Sequence, residues 1–429
     1  MKPTFYISSP FDTYSGYGAR SRDLIKAIIE SNKYDVKLMS QRWGSTPFGF
    51  CQDHPEWTFL LDYLTANRIT NKPDIWAQVS VPNEFQPIGK YNIGFTAGME
   101  TTLVHGSWVE GVNRMDITFV SSEHAKQTFL NSKSEKKDQQ NNLLEIVEVK
   151  KPIEVLFEGV DLNTYFYKKT FDPSSLTLDL DKIPESFAYL SVGHWMQGIM
   201  GEDRKNIGLL IKAFLETFKN KKKRPALILK TSEVNSSYMD RDEILKKIQA
   251  IKNSVKSTNL PNIYLLHGEL SNEEMNKLYN HPKVKAMVSL TKGEGFGRPL
   301  LEFSTSKKPI ITSNWSGQLD FLKEDSNILL GGKLTPVHPT AVIKDMILPE
   351  SSWFSPNHSE VGHYLKDVFE NYKQYEKLGK KQAYHTVNNF SWEDMKSLLN
   401  KKLDKLIPEF PKEIKLDLPK LDLPKFKKL

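Results

Sequence analysis

The chain has 429 residues, 39% of them hydrophobic and 26% charged, an ordinary globular composition in a length that exceeds one hydrophobic core, so two domains are expected. Lys and Arg outnumber Asp and Glu by 59 to 52, and the net +7 suits acidic partners such as sugar nucleotides, nucleic acid or anionic lipid without choosing among them. A single cysteine, Cys51, excludes an internal disulfide and a Cys-rich metal site and fits a reducing, cytoplasmic setting, and no run approaches the roughly 18 apolar residues of a membrane span.

In chain order, residues 1–9 read as a first strand and not as an export or anchoring signal. Short runs rich in Val, Ile and Phe then recur between longer helical patterns, the alternation of a parallel sheet covered on both faces. Strands are expected at 5–8, 36–40, 75–79, 93–96, 117–121 and 153–157, and again at 187–192, 226–230, 263–267, 286–290, 309–312 and 328–330. This predicts an α/β protein of two Rossmann-like, doubly wound domains, 1–168 and 186–388, joined by a polar linker at 169–185. The active site is expected in the cleft between them, outside the carboxyl edges of the strands. A helix at 389–407 and a tail at 408–429 follow. The polar tract 131–142 and the tail look dispensable to the core. The tail repeats Leu416-Asp417-Leu418-Pro419-Lys420 as Leu421-Asp422-Leu423-Pro424-Lys425, and proline every five residues forbids a long helix there. The basic run 219–224 reads as a solvated surface.

The segment Lys292-Gly293-Glu294-Gly295-Phe296-Gly297-Arg298-Pro299-Leu300-Leu301-Glu302 follows a predicted strand. Its glycines permit unusual backbone angles and Pro299 suits a first helical turn, so the stretch reads as strand, glycine loop, helix. Such a loop aims backbone N–H groups into the cleft, where they can hold a diphosphate or a sugar hydroxyl. Glu294 stands on the loop and Glu302 on the helix, so the two carboxylates should touch different parts of one ligand.

This pattern, two glutamates with seven residues between them, Gly-Phe-Gly among these, resembles the retaining glycosyltransferases of family 4, also called group 1. The resemblance runs from the first glycine loop to Phe321. It implies a GT-B type fold, with the acceptor on the first domain, the nucleotide-sugar on the second and the 389–407 helix returning to the first. It implies that Glu294 contacts the donor sugar, that the backbone of Gly295, Phe296, Gly297, Arg298, Pro299 and Leu300 lines the sugar and phosphates, and that Glu302 binds the ribose. Lys205, with Arg204 beside it, matches the family's basic pair against the diphosphate, where fixed positive charge stabilises the departing nucleotide. The family often has arginine directly after the glycine where this chain has His194 and Trp195 after Gly193, followed by an insertion-like 197–201. Gly16 and Gly18, in Tyr14-Ser15-Gly16-Tyr17-Gly18, resemble the loop that reaches the phosphates from the first domain. The turn Thr312-Ser313-Asn314-Trp315-Ser316-Gly317-Gln318 resembles a small-residue turn beside the donor, and reads equally as an ordinary capped turn.

At Gly98-Met99-Glu100-Thr101-Thr102 the family often presents a histidine. Here Glu100 is the preferred cleft residue and His105 the alternative, because a carboxylate at a strand end can contact sugar hydroxyls or assist proton transfer. Asp179-Leu180-Asp181 satisfies a bare Asp-x-Asp search but lies in the linker, and no His or Cys cluster has ligand spacing, so no catalytic metal or cofactor is expected. The implied activity is hexosyl or pentosyl transfer with retention from a nucleotide-diphosphate sugar. The acceptor stays open among a glycan or other hydroxyl-bearing molecule, DNA and an anionic lipid. The other readings are a non-catalytic nucleotide- or glycan-binding protein on the same scaffold and a Rossmann dehydrogenase, for which neither glycine loop completes Gly-x-Gly-x-x-Gly with a following acid.

Overall fold

The computed structural model describes residues 2–65, 69, 71–170, 180–233 and 237–410. Its first half carries β1 (Thr4–Ser9), β2 (Asp35–Ser40), β3 (Ile75–Val79), β4 (Tyr91–Thr96), β5 (Ile117–Val120), β6 (Ser134–Lys137), β7 (Leu143–Val147) and β8 (Ile153–Val155). Six of these form one parallel sheet in the order β2-β1-β3-β4-β5-β8. The helices here are α1 (Gly16–Glu30), α2 (Phe50–Asp53), α3 (Gly106–Arg114) and α4 (Glu123–Asn131).

The second half carries β9 (Ala188–Val192), β10 (Ala226–Lys230), β11 (Ile263–Leu266), β12 (Val284–Ser289), β13 (Ile310–Ser313) and β14 (Ile328–Leu330) in a second parallel sheet, ordered β11-β10-β9-β12-β13-β14. Around it lie α5 (Ile207–Phe218), α6 (Tyr238–Ser254), α7 (Asn272–Asn280), α8 (Arg298–Ser304), α9 (His358–Glu370) and α10 (Tyr372–Asn389), and the last helix is α11 (Trp392–Leu406). The apolar runs form strands because both faces of each sheet are covered. One core lies between the first sheet and α1, and another between that sheet and α3 with α4. The second sheet is flanked in the same way, by α5, α6 and α9 on one side and by α7 and α8 on the other.

Strand order reverses between β1 and β3 in the first sheet and between β9 and β12 in the second. Loops leaving the carboxyl ends on either side of such a reversal splay apart and open a crevice. The loops after β1, β9 and β12 all leave at these points; the first leads into α1 at Gly16, and the others carry Lys205 and Glu294.

α11 starts at a capping box, in which the Ser391 hydroxyl and the Asp394 carboxylate satisfy each other's backbone N–H. It then lays Met395, Leu399 and Leu403 into the first domain's core. Trp392 Nε1 donates to the Asp23 carbonyl at 3.3 Å, and Lys402 pairs with Glu154 at 2.6 Å.

Two segments differ from their sequence reading. Much of the tract 131–142 is ordered as one strand and the turn of the β6–β7 antiparallel hairpin. Asp138 accepts the N–H groups of Gln140 and Asn142, each at 2.9 Å, and Asn141 takes φ 66°, so polar residues build the turn and no apolar run announces it. After β14 the chain forms a second hairpin, β15 (Gly332–Pro336) with β16 (Ser352–Pro356), which the sequence did not disclose. Asp179 and the tail repeat at 416–425 lie outside the described residues. Asp181 sits in a short 3-10 turn, 3.8 Å from His281.

Candidate active site

Four of the residues expected at the chemistry converge. Glu294 is buried, and its carboxylate meets Lys205 Nζ at 2.5 Å and Arg204 Nη1 at 3.3 Å. The same Arg204 nitrogen lies 3.3 Å from Glu100, which belongs to the other half of the chain, and donates to the Gly293 carbonyl at 3.0 Å. Burial alone would raise the Glu294 carboxyl, but Lys205 and Arg204 outweigh it and hold it below its ordinary range. Burial lowers Lys205, and Glu294 offsets part of that. Lys205 is placed by Gly193, whose φ of +149° and missing Cβ let the lysine stem pass; an added Cβ would lie 3.3 Å from its Cε.

The loop itself is fixed from both sides. Gly317 N donates to the Glu294 carbonyl at 3.0 Å, and Ser316 Oγ accepts the Glu294 N–H at 2.9 Å, so the Thr312–Gln318 turn is a brace for the glycine loop. Gly297 takes φ +99°, a left-handed angle that turns the chain into α8. Phe296 packs against Phe321 with ring centres 5.0 Å apart, and Leu300 is equally buried, so both anchor the loop with their side chains.

Arg298 holds a second cluster, in which only the i,i+4 pair with Glu302 is a local pattern. It reaches Asp23 on α1 at 2.7 Å, Glu302 at 3.1 Å and Glu158 at 3.7 Å. Glu302 also accepts from the Tyr279 hydroxyl at 3.2 Å, and burial, only partly offset by Arg298, pushes its carboxyl up to about 6. Asp23 and Glu158 come from the other half, and the one signal for them is an acidic residue on the buried face of α1. Arg298 therefore joins the two halves through its side chain, where the sequence reading used only its backbone.

Two cavities share Gly16 and Arg298 as a common wall. One, of about 500 Å³, is bordered by Tyr14, Pro299, Glu302 and the loop from Glu269 to Asn272. The other, of about 330 Å³, is bordered by Glu100, Arg204, Glu294, Gly295 and Gly297. His105 stands apart from both, as the cap of α3, where its Nδ1 accepts the Ser107 N–H. Cys51 is buried in the first domain's core. Among the described residues no group of three or more His, Cys, Asp and Glu side chains is placed to hold a metal ion, and no helix is long and apolar enough to cross a membrane.

The two glycines expected on the first loop lie instead in the first turn of α1, behind the Ser15 cap, and do different things. A Cβ at Gly18 would sit 2.4 Å from the Thr13 carbonyl, whereas one at Gly16 would meet no protein atom within 4 Å. Gly18→Ala is expected to cost about 1–3 kcal/mol. Gly16→Ala should leave stability within about 0.5 kcal/mol. Urea unfolding of the two variants checks this, and equal losses in both would contradict it.

Residues 201–337 match the family model of the glycosyl transferases group 1. No curated protein sequence matches the chain. Among solved structures, a glycosyltransferase from Rickettsia africae is similar over 95% of this chain and 99% of its own, with TM-score 0.56 and 14% identity. HepE of Anabaena in complex with UDP and glucose matches over 94% and 99%, with TM-score 0.58 and 11% identity. Sucrose-phosphate synthase from Thermosynechococcus elongatus matches over 95% and 99%, with TM-score 0.59 and 12% identity. The two Rossmann-like halves facing across the crevice are thus the GT-B fold of glycosyltransferases, and the group 1 match falls on the stretch that carries Lys205, Glu294 and Glu302.

Proposed function

We propose that the protein transfers a sugar from a nucleotide-diphosphate donor to a hydroxyl acceptor with retention of configuration. The observation that carries this is the convergence of Glu294, Lys205, Arg204 and Glu100 at the crevice where the switch points of the two sheets meet. The nucleotide fits the larger cavity, with its ribose on Glu302, and the sugar fits the smaller one, against Glu294. The acceptor oxygen bonds to the anomeric carbon on the same face from which the diphosphate departs, while the bond from that carbon to the diphosphate oxygen breaks and its electron pair leaves with the phosphate. Lys205 and Arg204 stabilise the charge that develops there, and Glu100 takes the acceptor's proton. Retention rests on the two-glutamate pattern, and no metal is required for a leaving group already met by two cations.

The test is release of nucleoside diphosphate from UDP-, GDP-, ADP- and CMP-sugars, with and without EDTA, followed by NMR of the product anomer. Turnover of one donor, insensitive to EDTA, is expected. A folded protein that binds and cleaves none of them would overturn the reading.

Ribose binding by Glu302 carries a pH signature. Its carboxyl is raised to about 6, and the ionised form accepts two hydroxyl hydrogen bonds, so the competent fraction grows as pH rises. Affinity for a UDP-sugar, whose diphosphate stays fully ionised, should rise by about tenfold between pH 5 and 7 in proportion to that fraction. Glu302→Gln should flatten the profile in calorimetric titration. An unchanged slope in that variant would remove Glu302 from the binding site.

A further inference from the structure

The smaller cavity has a wall that the donor reading does not use. Besides Glu294 it is bordered by Val79, Phe95 and Phe119, at the carboxyl ends of β3, β4 and β5, and by Tyr17, Trp43 and Met346. Tyr17 is clamped at its hydroxyl, which lies 3.0 Å from Thr96 Oγ1 and accepts the Ala97 N–H at 3.0 Å. Trp43 stacks on that fixed ring with centres 3.9 Å apart and planes 21° apart. An indole held this way is a flat apolar platform set in advance.

Met346 reaches the cavity from the other domain. It ends a tight turn, closed by Ile343 N donating to Ile347 O at 3.1 Å with Asp345 at φ 60°, in the loop between β15 and β16. That arm is fastened to the first domain at Thr102, through paired hydrogen bonds of 2.9 Å with Ser352. This wall is therefore assembled from both domains.

Charge narrows what can sit there. Three arginines border the cavity, and with the donor bound each is committed, Arg204 to the departing diphosphate as well as to its carboxylates. Arg20 donates to the carbonyls of Phe157 and Leu156 at 2.9 and 2.6 Å, Arg204 is shared by Glu100 and Glu294, and Arg298 by Asp23, Glu158 and Glu302. A phosphorylated or otherwise anionic acceptor would enter with no cation left to meet it, which is costly in a site with apolar walls. Glu100 and Glu158, by contrast, present carboxylate oxygens that accept from hydroxyl groups.

We infer that this wall is the acceptor subsite and that it takes an uncharged sugar ring, its C–H face on Trp43 and its hydroxyls toward Glu100 and Glu158. Several hydroxyls facing two carboxylates favour a sugar over an aromatic alcohol, which has one. The inference rests on the glycosyl-transfer reading, because it takes Glu294 to mark the donor side of the same cavity.

Binding of methyl β-glucopyranoside, glucose 6-phosphate and p-cresol to the whole chain, in the presence of UDP, tests it by saturation-transfer NMR. The glucoside is expected to bind at least fivefold tighter than the phosphate. Trp43→Ala should weaken it at least tenfold, Trp43→Phe by less than threefold, and Met346→Ala, a change at a half-exposed side chain, by an intermediate amount. Tighter binding of glucose 6-phosphate, preference for p-cresol, or equal affinity in folded Trp43→Ala would each overturn the inference. UDP binding is measured in the same samples by calorimetry. UDP bound with no sugar bound sinks the acceptor subsite alone, whereas a folded protein that binds no UDP sinks the glycosyl-transfer reading with it.

Discussion

Glu294→Gln is expected to lower kcat by about 10²- to 10³-fold, the usual loss when one preorganised electrostatic group is removed from a reacting centre. The amide keeps the shape of the side chain and a hydrogen-bond acceptor for Lys205 but not the charge, so part of the ion-pair stability should be lost with it. Glu294→Ala should lose as much activity and more stability, because the acceptor goes as well. Lys205 and Arg204 are nearly enclosed, with side chains 12% and 13% exposed, and without the carboxylate they face one another with one fewer counter-charge. Breaking a buried pair by removing one partner costs about 3–5 kcal/mol, and part of that is recovered here because Arg204 keeps Glu100.

The sign of the pH dependence follows from the depressed Glu294 carboxyl. A group whose folded value lies below its ordinary 4.5 contributes stability that is fully present above that pH and is lost as the pH falls through the folded value. The stability gap between the parent and Glu294→Ala should thus be widest near pH 7 and shrink below about pH 4.5. Urea unfolding at pH 7 and pH 4 measures it. A gap that widens in acid would mean that Glu294 does not carry the charge assigned to it.

The sequence discloses parts of this centre unequally. The strands were legible because runs such as Ala226–Lys230 are buried on both faces, which forces continuous apolar character. The glycine loop was legible because its backbone requirement selects residue types, and glycine at 297 with φ +99° leaves a trace in the sequence. Asp23 and Glu158 were not. They reach Arg298 only once the domains are docked, Asp23 from 275 positions away, and no spacing rule connects such residues. The β15–β16 arm escaped for another reason. Its strands are five residues long, each ends in proline, and most of β15 is exposed, so neither periodicity nor a continuous apolar run marks them. Lys205 lay between these cases, since the basic pair was visible but its placement against Glu294 depends on the glycine at 193.

Gly293→Ala should cripple the reaction by adding a single carbon at the contact between the domains. A Cβ at 293 would stand 1.9 Å from the Glu100 carbonyl oxygen, 2.9 Å from its carbon and 3.0 Å from the Trp315 ring. No rotamer relieves a contact with backbone, so either the loop or the Ala97–Glu100 segment must withdraw. These two segments are where the domains touch across the site, because Gly295 likewise leaves only 2.7 Å between a built Cβ and the Ala97 carbonyl. Withdrawal separates Arg204 from Glu100, now at 3.3 Å, and lifts Trp315 from His124, whose ring centre is 4.6 Å away. Each domain keeps its own core, since the clash lies between the two sheets and not within either one. The expected outcome is a protein that unfolds near the parental temperature yet transfers sugar at least 10²-fold more slowly, a loss that a misplacement of about 1 Å produces at a reacting centre. X-ray scattering should show a larger radius of gyration than the parent's, because the clash props the crevice open. Full activity with an unchanged radius would show that the two segments do not need to meet for the reaction, and would move the catalytic role away from Glu100.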